Sequence, residues 1–339
     1  SKTIDTSLLR GQFTPQFGDT VKIKRPHQYN YISTSGGDIS SSDKSDLLSG
    51  SAPATVQNYI TVATEWSNKE EALKLDQLTE ILNPAAEECV TALETLLGDF
   101  MINHAGLSYG VPGTAVDAWS DVAGAGALMQ ALGVPMGGEQ YYVMNPFTTT
   151  GLASVQTGLS ADPSRLVQTA WENAQISQNF GGLRGITSNS LSSWTNGTTA
   201  DRIGALNANP DVTWATHKDT MIQSIVIKDL TASQTPAVNP GDVLEYTGVY
   251  YIHPKTGKTV IGADGNAVKF RQTVVTGGNT DGGTPPLTGT LTVTPAAIYE
   301  TDGQYNNVTS APVEDTVVTV LGATATEYQP NLFYHKQAF

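Results

Sequence analysis

One pentapeptide of the sequence has the spacing of a catalytic nucleophile. Residues 106–110 read Gly-Leu-Ser-Tyr-Gly, which matches the G-x-S-x-G elbow that exposes a serine in α/β-hydrolases. That elbow needs a strand before Ser108 and a helix after it. Here a predicted helix precedes the motif, and the turn residues Val111-Pro112-Gly113 follow it. We therefore expect a helix end and a turn, and a hydrolase that uses Ser108 is the weakest of three functional hypotheses.

The other residues that could do chemistry also lack suitable neighbours. Gly257-Lys258-Thr259 resembles the end of a phosphate-binding loop, but Ile252 stands where the first glycine of that loop belongs. The histidines have no His, Cys or carboxylate at ligand spacing, and Asp264-Gly265-Asn266 lacks the later Glu of a calcium loop. Cys89 is the single cysteine, so no internal disulfide can form, and we expect a buried, inert thiol. The sequence thus predicts no enzyme, no cofactor and no metal site.

Composition narrows the class of protein. The 339 residues predict two or three domains, and 39% hydrophobic residues suffice for real cores. Charged residues make up only 15%, against about 25% in typical soluble domains, which is usual in β-rich proteins made for assembly or exposure. A net charge of −14 disfavours broad contact with DNA or an anionic membrane. No apolar run approaches the ~20 residues that span a bilayer, and no signal peptide is visible; a reducing compartment is expected.

A long amphipathic helix is predicted over Asn83–Gly106. Asn83 suits the N-cap, Pro84 the first helical position and Gly106 the C-terminal stop. Apolar or aromatic side chains recur at steps of three and four on one side, and they are Ala86, Val90, Leu93, Leu97, Phe100 and His104. At roughly 22 residues the helix would span ~30 Å.

The chain before this helix reads as an arm. Residues 1–19 show no strong period, whereas residues 20–66 are predicted to form an extended hairpin. Its first strand alternates Val21 and Ile23 with lysines, its second covers Thr55–Thr64, and a polar tip, Ser33–Ser51, joins them. An isolated hairpin is marginal in water, so the arm gains stability either against another molecule or by folding back on its own domain. Both alternatives stay open from the sequence.

The chain after the arm divides by its patterns. A capped helix at Ser67 and the long helix fill residues 67–113, and residues 114–200 read as an α/β region with helices at Ala115–Leu132 and Pro163–Gln175 and a strand at Gln140–Met144. Residues 201–325 are predicted to be an inserted β domain that folds by itself, with a projecting loop at Gly277–Pro286. Its six predicted strands are Met221–Leu230, Val243–Ile252, Thr259–Ile261, Val268–Thr276, Thr290–Val293 and Thr316–Leu321. Residues 326–339 return to the preceding region.

This order of elements, together with local matches, resembles a known family. The matching stretches are Val116–Trp119, Tyr141–Pro146, Asn179–Leu183, Pro240–Val243, Tyr246–Val249 and Thr290–Pro295. They are similar to the major coat proteins of tailed phages with the Hong-Kong-97-type capsid fold, specifically the P22-type members that carry a telokin-like insertion domain. Family members have a longer N-terminal arm and continue past the segment that matches Tyr328–Phe339.

The resemblance implies a fold and a role. It implies an α+β, Hong-Kong-97-type capsid fold with an extended loop, a spine helix, peripheral and axial domains and an inserted six-stranded, β-barrel-like domain. It implies a coat protein that assembles with copies of itself into an icosahedral shell, with scaffolding and portal proteins as further partners. The shell would enclose DNA without sequence-specific binding, contact no membrane and assemble in the cytoplasm of the bacterial host.

Six charged residues are candidate contacts between subunits. Lys22, Lys24 and Arg25 cluster at the base of the hairpin, Asp43 and Asp46 lie in its polar tip, and a further carboxylate, Asp281, lies in the projecting loop. We expect the basic cluster to meet carboxylates of an adjacent subunit. The alternative from another class is a β-rich surface adhesin or tail-fibre-like binding protein, which the Thr, Asn and Gly content of the C-terminal third favours.

Overall fold

The structure is a computed structural model that describes residues 20–40, 42, 45, 47–55, 60–63, 78–135, 137–157, 168, 170, 172–230, 236–278 and 289–338. Predictions for residues 1–19, for the capped helix at Ser67, for most of Pro163–Gln175 and for residues 279–288 of the projecting loop lie outside these residues. The helices and strands follow in chain order: β1 Thr20–Lys24, β2 Ser51–Thr55, α1 Leu78–Asn103, α2 Trp119–Ala131, β3 Gln140–Met144, α3 Pro146–Thr157, β4 Asn179–Phe180, β5 Leu183–Thr187, β6 Trp194–Thr195, β7 Ile203–Leu206, α4 Trp214–His217, β8 Gln223–Lys228, β9 Val243–Tyr250, β10 Lys269–Thr276, β11 Gly289–Thr294, β12 Val317–Val320, β13 Glu327–Tyr328, β14 Leu332–His335 and a 3-10 turn Lys336–Ala338.

Six antiparallel strands close into a barrel in the order β10-β11-β8-β7-β12-β9. Buried and more exposed residues alternate along β8, as expected when one face of a strand points into a core. The interior is filled by large apolar side chains, among them Leu206, Ile227, Leu244, Phe270 and Leu291. Because the sheet closes on itself, these strands expose no free edge.

Five of the six predicted strands belong to this barrel, and one prediction was wrong. Residues 259–261 form only isolated bridges, Ile252 to Thr259 and Ile261 to Ala267, within a local turn. The remaining barrel strand is β7, whose Gly204 and Ala205 give it little strand propensity. A Cβ on Gly204 would lie 2.6 Å from the carbonyl oxygen of Lys228, so close strand packing requires the glycine there.

A four-stranded sheet, ordered β14-β3-β5-β4, forms a second layer with α2 and α3. The predicted strand Gln140–Met144 is confirmed, and Pro146 ends it and opens α3. The helix predicted from Ala115 begins only at Trp119. Ala118 has extended backbone, and the carboxylate of Asp121 accepts its N–H at 3.1 Å.

The long helix α1 starts earlier than predicted. It is already helical at Leu78, so Asn83 and Pro84 lie inside it and are not its start. A proline in a helix removes one backbone hydrogen bond and need not end the helix, which is why the start signal misled. The helix ends at Asn103, and Gly106 is not among the glycines with left-handed backbone.

The predicted hairpin forms, but with a different second strand. β1 pairs antiparallel with β2, in the register Lys24 to Ser51 and Thr20 to Thr55. The strand predicted at Thr55–Thr64 was therefore placed too late, since residues 60–63 are not in a strand and most of the rest lies outside the described residues. The apolar alternation of residues 60 and 62 is typical of a strand, although no strand forms there. β2 was not predicted because it contains Pro53, and proline argues against a strand. We call residues 20–55 the arm.

Candidate assembly surfaces

The arm folds against the barrel of its own chain. Ser51 donates its backbone N–H and its hydroxyl to Asp219 Oδ1, at 2.8 and 3.0 Å. Arg25 Nη2 donates to the carbonyl oxygen of Asp219 at 3.1 Å, and Trp214 Nε1 donates to the carbonyl oxygen of Leu48 at 3.3 Å. Two alternatives were left open for the arm, and the structure shows the second, in which the arm folds back on its own domain.

The basic cluster predicted at the base of the arm is divided by the structure. Lys22 and Lys24 are exposed, and neither makes an ion pair within the described part of the chain. Arg25 is instead half-buried beside Asp219, and burial lowers the pKa of its guanidinium. Asp43, Asp46 and Asp281 lie outside the described residues, so the structure places none of these three carboxylates.

The arm exposes large apolar side chains although it is docked. Tyr31 is 82% exposed, Leu47 79% and Tyr29 60%. A cleft of about 1140 Å³ separates this part of the arm from the barrel, and Tyr31, Trp214 and Tyr305 are among the residues that line it. Beyond its base, the arm therefore leaves most of its apolar surface uncovered by its own barrel.

Helix α1 exposes a second apolar surface. Met101 and Ile102 are buried toward the body of the subunit, where Ser192 Oγ donates to the carbonyl oxygen of Thr95 at 3.1 Å. Four other apolar side chains of the helix are half exposed or more, and they are Val90, Leu93, Leu96 and Phe100. The helix has five acidic residues and no basic one.

Cys89 is half-buried on this helix, not fully buried as predicted.

The barrel is attached to the rest of the subunit through a buried carboxylate. Asp242 has no exposed surface, and its Oδ2 accepts the N–H groups of Gly197 at 3.0 Å and Asn239 at 2.9 Å. Burial raises the pKa of this carboxyl to about 6, against the opposing influence of these hydrogen bonds and of Arg202. Sequence reasoning noted Asp242 only as part of a family match, because nothing in a Gly-Asp pair reveals burial.

Two side chains join the chain that enters the barrel to the chain that leaves it. Asn196 Nδ2 donates to the carbonyl oxygens of Leu321 and Ala323, both at 3.0 Å. Arg202 Nη2 donates to the carbonyl oxygen of Leu321 at 3.2 Å. These contacts attach the barrel to the rest of the subunit, and no sequence motif predicted them.

The residues first considered for chemistry form no reactive site among those that the structure describes. The segment after α1 that holds Ser108 is not a strand, so it is no nucleophile elbow, and Ser108 Oγ has no hydrogen-bond partner in the described part of the chain. Both ring nitrogens of His217 face backbone carbonyl oxygens, of Ile222 and Asp211, at 2.8 Å. The described residues contain no group of three or more metal-ligating side chains and no helix long and apolar enough to cross a membrane.

Comparison with known proteins defines the class. The family model described as "P22 coat protein - gene protein 5" matches residues 1–339. The chain is also 39% identical over 338 residues to the "Major capsid protein" of Acyrthosiphon pisum secondary endosymbiont phage 1, covering 99% of this chain and 78% of that relative. Among solved structures, one from Mycobacterium phage Che8 aligns with a TM-score of 0.40 at 15% identity over 88% of this chain and 83% of that one, a likeness too loose to support an argument.

These matches confirm the predicted class, the major capsid proteins of tailed bacteriophages. Within that class, the chain belongs to the P22 coat protein family. The mixed α+β architecture with a closed six-stranded barrel agrees with the coarse fold prediction. The adhesin alternative receives no support from the matches.

Proposed function

We propose that this capsid protein has a Hong-Kong-97-type fold and builds an icosahedral shell through contacts between unlike surfaces of neighbouring copies. In this assignment the arm is the extended loop and α1 is the spine helix. Residues 114–200 and 326–339 form the peripheral and axial domains, and residues 201–325 form the insertion. Membership of the coat protein family and the order of the elements support the assignment.

The observation that carries the proposal is the apolar surface that the arm leaves exposed. Side chains such as Tyr31 and Leu47 stay in water in the single subunit, and contiguous exposed apolar surface marks an interaction site. We propose that the arm meets a different surface of the neighbouring copy, which makes the contact head-to-tail. Such contacts close into rings when the rotation between copies permits.

Charge supports a second copy as the occupant. Lys22 and Lys24 stand exposed at the base of the arm, and a neighbouring copy carries a net charge of −14. We propose that these two lysines meet carboxylates of that copy, with the acidic residues of α1 as one fitting surface. Arg25, Asp43, Asp46 and Asp281 remain candidate contacts between subunits, with Arg25 shared between its own barrel and a neighbour.

Scaffolding and portal proteins are the further partners that we propose, with assembly in the host cytoplasm and DNA enclosed afterwards. The acidic balance of the chain supports enclosure without adhesion, because like charges keep the phosphate backbone off the wall.

Negative-stain electron microscopy of the purified chain tests the proposal. Closed shells or rings of capsomers, formed alone or with a scaffolding protein from the same phage, are the expected result. Dispersed single subunits under all of these conditions, at concentrations where a related coat protein assembles, would contradict it.

A further inference from the structure

Asp219, which follows α4 on the surface of the barrel, binds both legs of the arm. Its carboxylate accepts two hydrogen bonds from Ser51, the first residue of β2, at 2.8 and 3.0 Å. Its backbone carbonyl accepts one from Arg25, the residue after β1, at 3.1 Å. The second carboxylate oxygen accepts from Lys218 Nζ at 2.9 Å. A single barrel residue thus holds the point at which the two strands of the hairpin open into the loop.

The fit at this point is tight. Gly50 is buried, and a Cβ added to it would lie 2.0 Å from the carbonyl oxygen of Lys218, so a larger residue cannot be accommodated without moving the backbone. Arg25 donates its backbone N–H to the carbonyl oxygen of Gly50 at 2.9 Å, which ties the two legs to each other. Trp214, stacked on Tyr305 with ring centroids 4.0 Å apart, adds a hydrogen bond to Leu48 from a fixed platform.

The carboxylate is held in its charged form. Hydrogen bonds from Lys218 and then from Ser51 lower the pKa of Asp219 to about 2. It therefore remains an acceptor throughout the neutral pH range, and hydrogen bonds to a charged acceptor are stronger than those between neutral groups.

The contact loosens beyond this point. Farther along the arm, Asn30 Nδ2 donates to the carbonyl oxygen of Asp302 at 2.7 Å. The cleft of about 1140 Å³ opens there, and Tyr31, which lines it, and Leu47 are largely exposed. The arm is therefore held to the barrel at its base by Asp219 and farther out by the hydrogen bond from Asn30, while the apolar side chains between these contacts stay exposed.

We propose that Asp219 is a positioning residue, a latch that fixes the direction in which the arm leaves the barrel and so presents the apolar side chains of the arm as a preformed docking surface for a second copy of this chain. The identity of the partner rests on the proposed function. The reason for a latch is entropic, because a segment already held in its bound direction loses less freedom when it docks. Charge favours a second copy, since the exposed Lys22 and Lys24 beside the latch meet a chain of net charge −14.

Hydrogen–deuterium exchange of the unassembled full chain tests the latch. In Asp219→Ala the Ser51 amide loses its acceptor, and we expect peptides across residues 47–55 to exchange about tenfold faster. Asp219→Asn keeps an oxygen acceptor but loses the charge, so its exchange should fall between that of Asp219→Ala and that of the unaltered chain. Asp302→Asn is the matched control, because it removes a carboxylate from the same side of the barrel while the hydrogen bond from Asn30 goes to the backbone.

Exchange in peptides from the barrel core, such as residues 243–250, reports whether each variant is folded. If the arm of Asp219→Ala exchanges as slowly as that of the unaltered chain, there is no latch. If Asp219→Ala also perturbs the barrel core, the test uses Ser51→Ala instead, which removes one of the two hydrogen bonds to Asp219. Unchanged exchange of the arm in Ser51→Ala would then overturn the proposal.

Light scattering during assembly tests the docking role. We expect Asp219→Ala to assemble about tenfold more slowly, Asp219→Asn to assemble at an intermediate rate, and Asp302→Asn to stay near the unaltered rate. A faster-exchanging arm with unchanged assembly would overturn the docking role and leave the latch standing. Failure of the unaltered chain to assemble under any condition would overturn the proposed function, while the exchange data would still decide on the latch.

Discussion

At the scale of single residues, Asp242 is a carboxylate without exposed surface whose charged form the fold disfavours. Its Oδ2 accepts two backbone N–H groups, whereas its Oδ1 has no partner among the described residues. Burial outweighs the two hydrogen bonds, because the pKa of Asp242 is raised from 3.8 to about 6. The group therefore supports the fold fully below pH 3.8, and this support is lost as the pH rises through about 6.

We expect Asp242→Asn to flatten the dependence of stability on pH. The amide oxygen can still accept from Gly197 and Asn239, but no charge is left to desolvate. In the unaltered chain this one group should lower the free energy of unfolding by at most ~3 kcal/mol between pH 4 and 7, at about 1.4 kcal/mol for each unit of pKa shift. Urea unfolding at several pH values measures the difference between the variant and the unaltered chain.

The control for this experiment is Asp229→Asn. Asp229 is an exposed barrel carboxylate with left-handed backbone, φ 64°, which asparagine tolerates. Its stability curve should run parallel to that of the unaltered chain. A parallel curve for Asp242→Asn as well would contradict the role of burial at that position.

The three basic residues at the base of the arm do not act as one cluster. Lys22, Lys24 and Arg25 are neighbours in the chain and were predicted to act as one cluster. The structure leaves the two lysines in water and turns Arg25 to a carbonyl oxygen 194 residues away in sequence. A local pattern of charge cannot reveal a partner at that distance, and the same holds for Ser51 and Asp219.

At the scale of elements, the barrel closes its own core. The largest fully buried side chains include Tyr246, Phe270 and Leu206, which come from strands of the barrel. Tyr246 and Gln272, facing each other inside it, are joined by a hydrogen bond of 2.5 Å from the tyrosine hydroxyl to Gln272 Oε1. Among the described residues, no side chain of α1 or of the four-stranded sheet belongs to this cluster, and three residues from outside the barrel, Leu107, Ala131 and Leu132, pack against it.

We expect a fragment covering residues 201–329 to fold alone. It contains all six barrel strands, and its length lies in the range where an independent core is common. Cooperative unfolding in urea and dispersed amide signals in NMR are the expected observations. A collapsed fragment with poorly dispersed signals would contradict an independent fold, and replacing the core residue Phe270 by Ala gives the matched destabilised control, at about 3–5 kcal/mol.

Which elements could be predicted follows from their physics. The strands of the barrel that alternate Val, Ile and Tyr with polar residues were predictable, because one face must be buried. β7 was missed because Gly204 has low strand propensity and is present to allow close packing against the neighbouring strand. The start of α1 was misplaced because a proline can stand either at the first position of a helix or, with the loss of one hydrogen bond, inside it. The exposure of Val90 and Leu93 could not be predicted either. An apolar stripe indicates that a surface is to be covered, but not whether the same chain or another molecule covers it.

At the scale of the whole molecule, assembly should depend on salt through the two exposed lysines. Changing Lys22 and Lys24 together to Glu should slow shell formation most at low salt. The Debye length is ~10 Å at 0.1 M and ~3 Å at 1 M, so repulsion between the altered arm and an acidic neighbour is screened as salt is added. Assembly followed by light scattering over this range gives the salt dependence.

The same change of charge elsewhere provides the control. Lys255 and Lys258 lie exposed in a turn of the barrel, and changing both to Glu alters the net charge equally. This variant should retain more of its assembly rate than the arm variant at 0.1 M salt. Equal rates for the two would mean that net charge alone, and no contact at the arm, governs association.

The outer part of the arm should be needed for the shell and dispensable for the subunit. Replacing residues 31–47 by a short Gly-Ser linker removes Tyr31, Ile32 and Leu47 but keeps Arg25, Leu48 and Ser51 at their contacts with the barrel. Because the described side chains of this segment are mostly exposed, the free energy of unfolding should change by no more than about 0.5 kcal/mol, as for surface substitutions. Shells should be absent from negative-stain images of this variant. A chain of full length with Tyr31 and Leu47 both changed to Gln separates loss of apolar surface from loss of length, and shells of ordinary size from the shortened variant would show that neighbouring subunits do not use the arm.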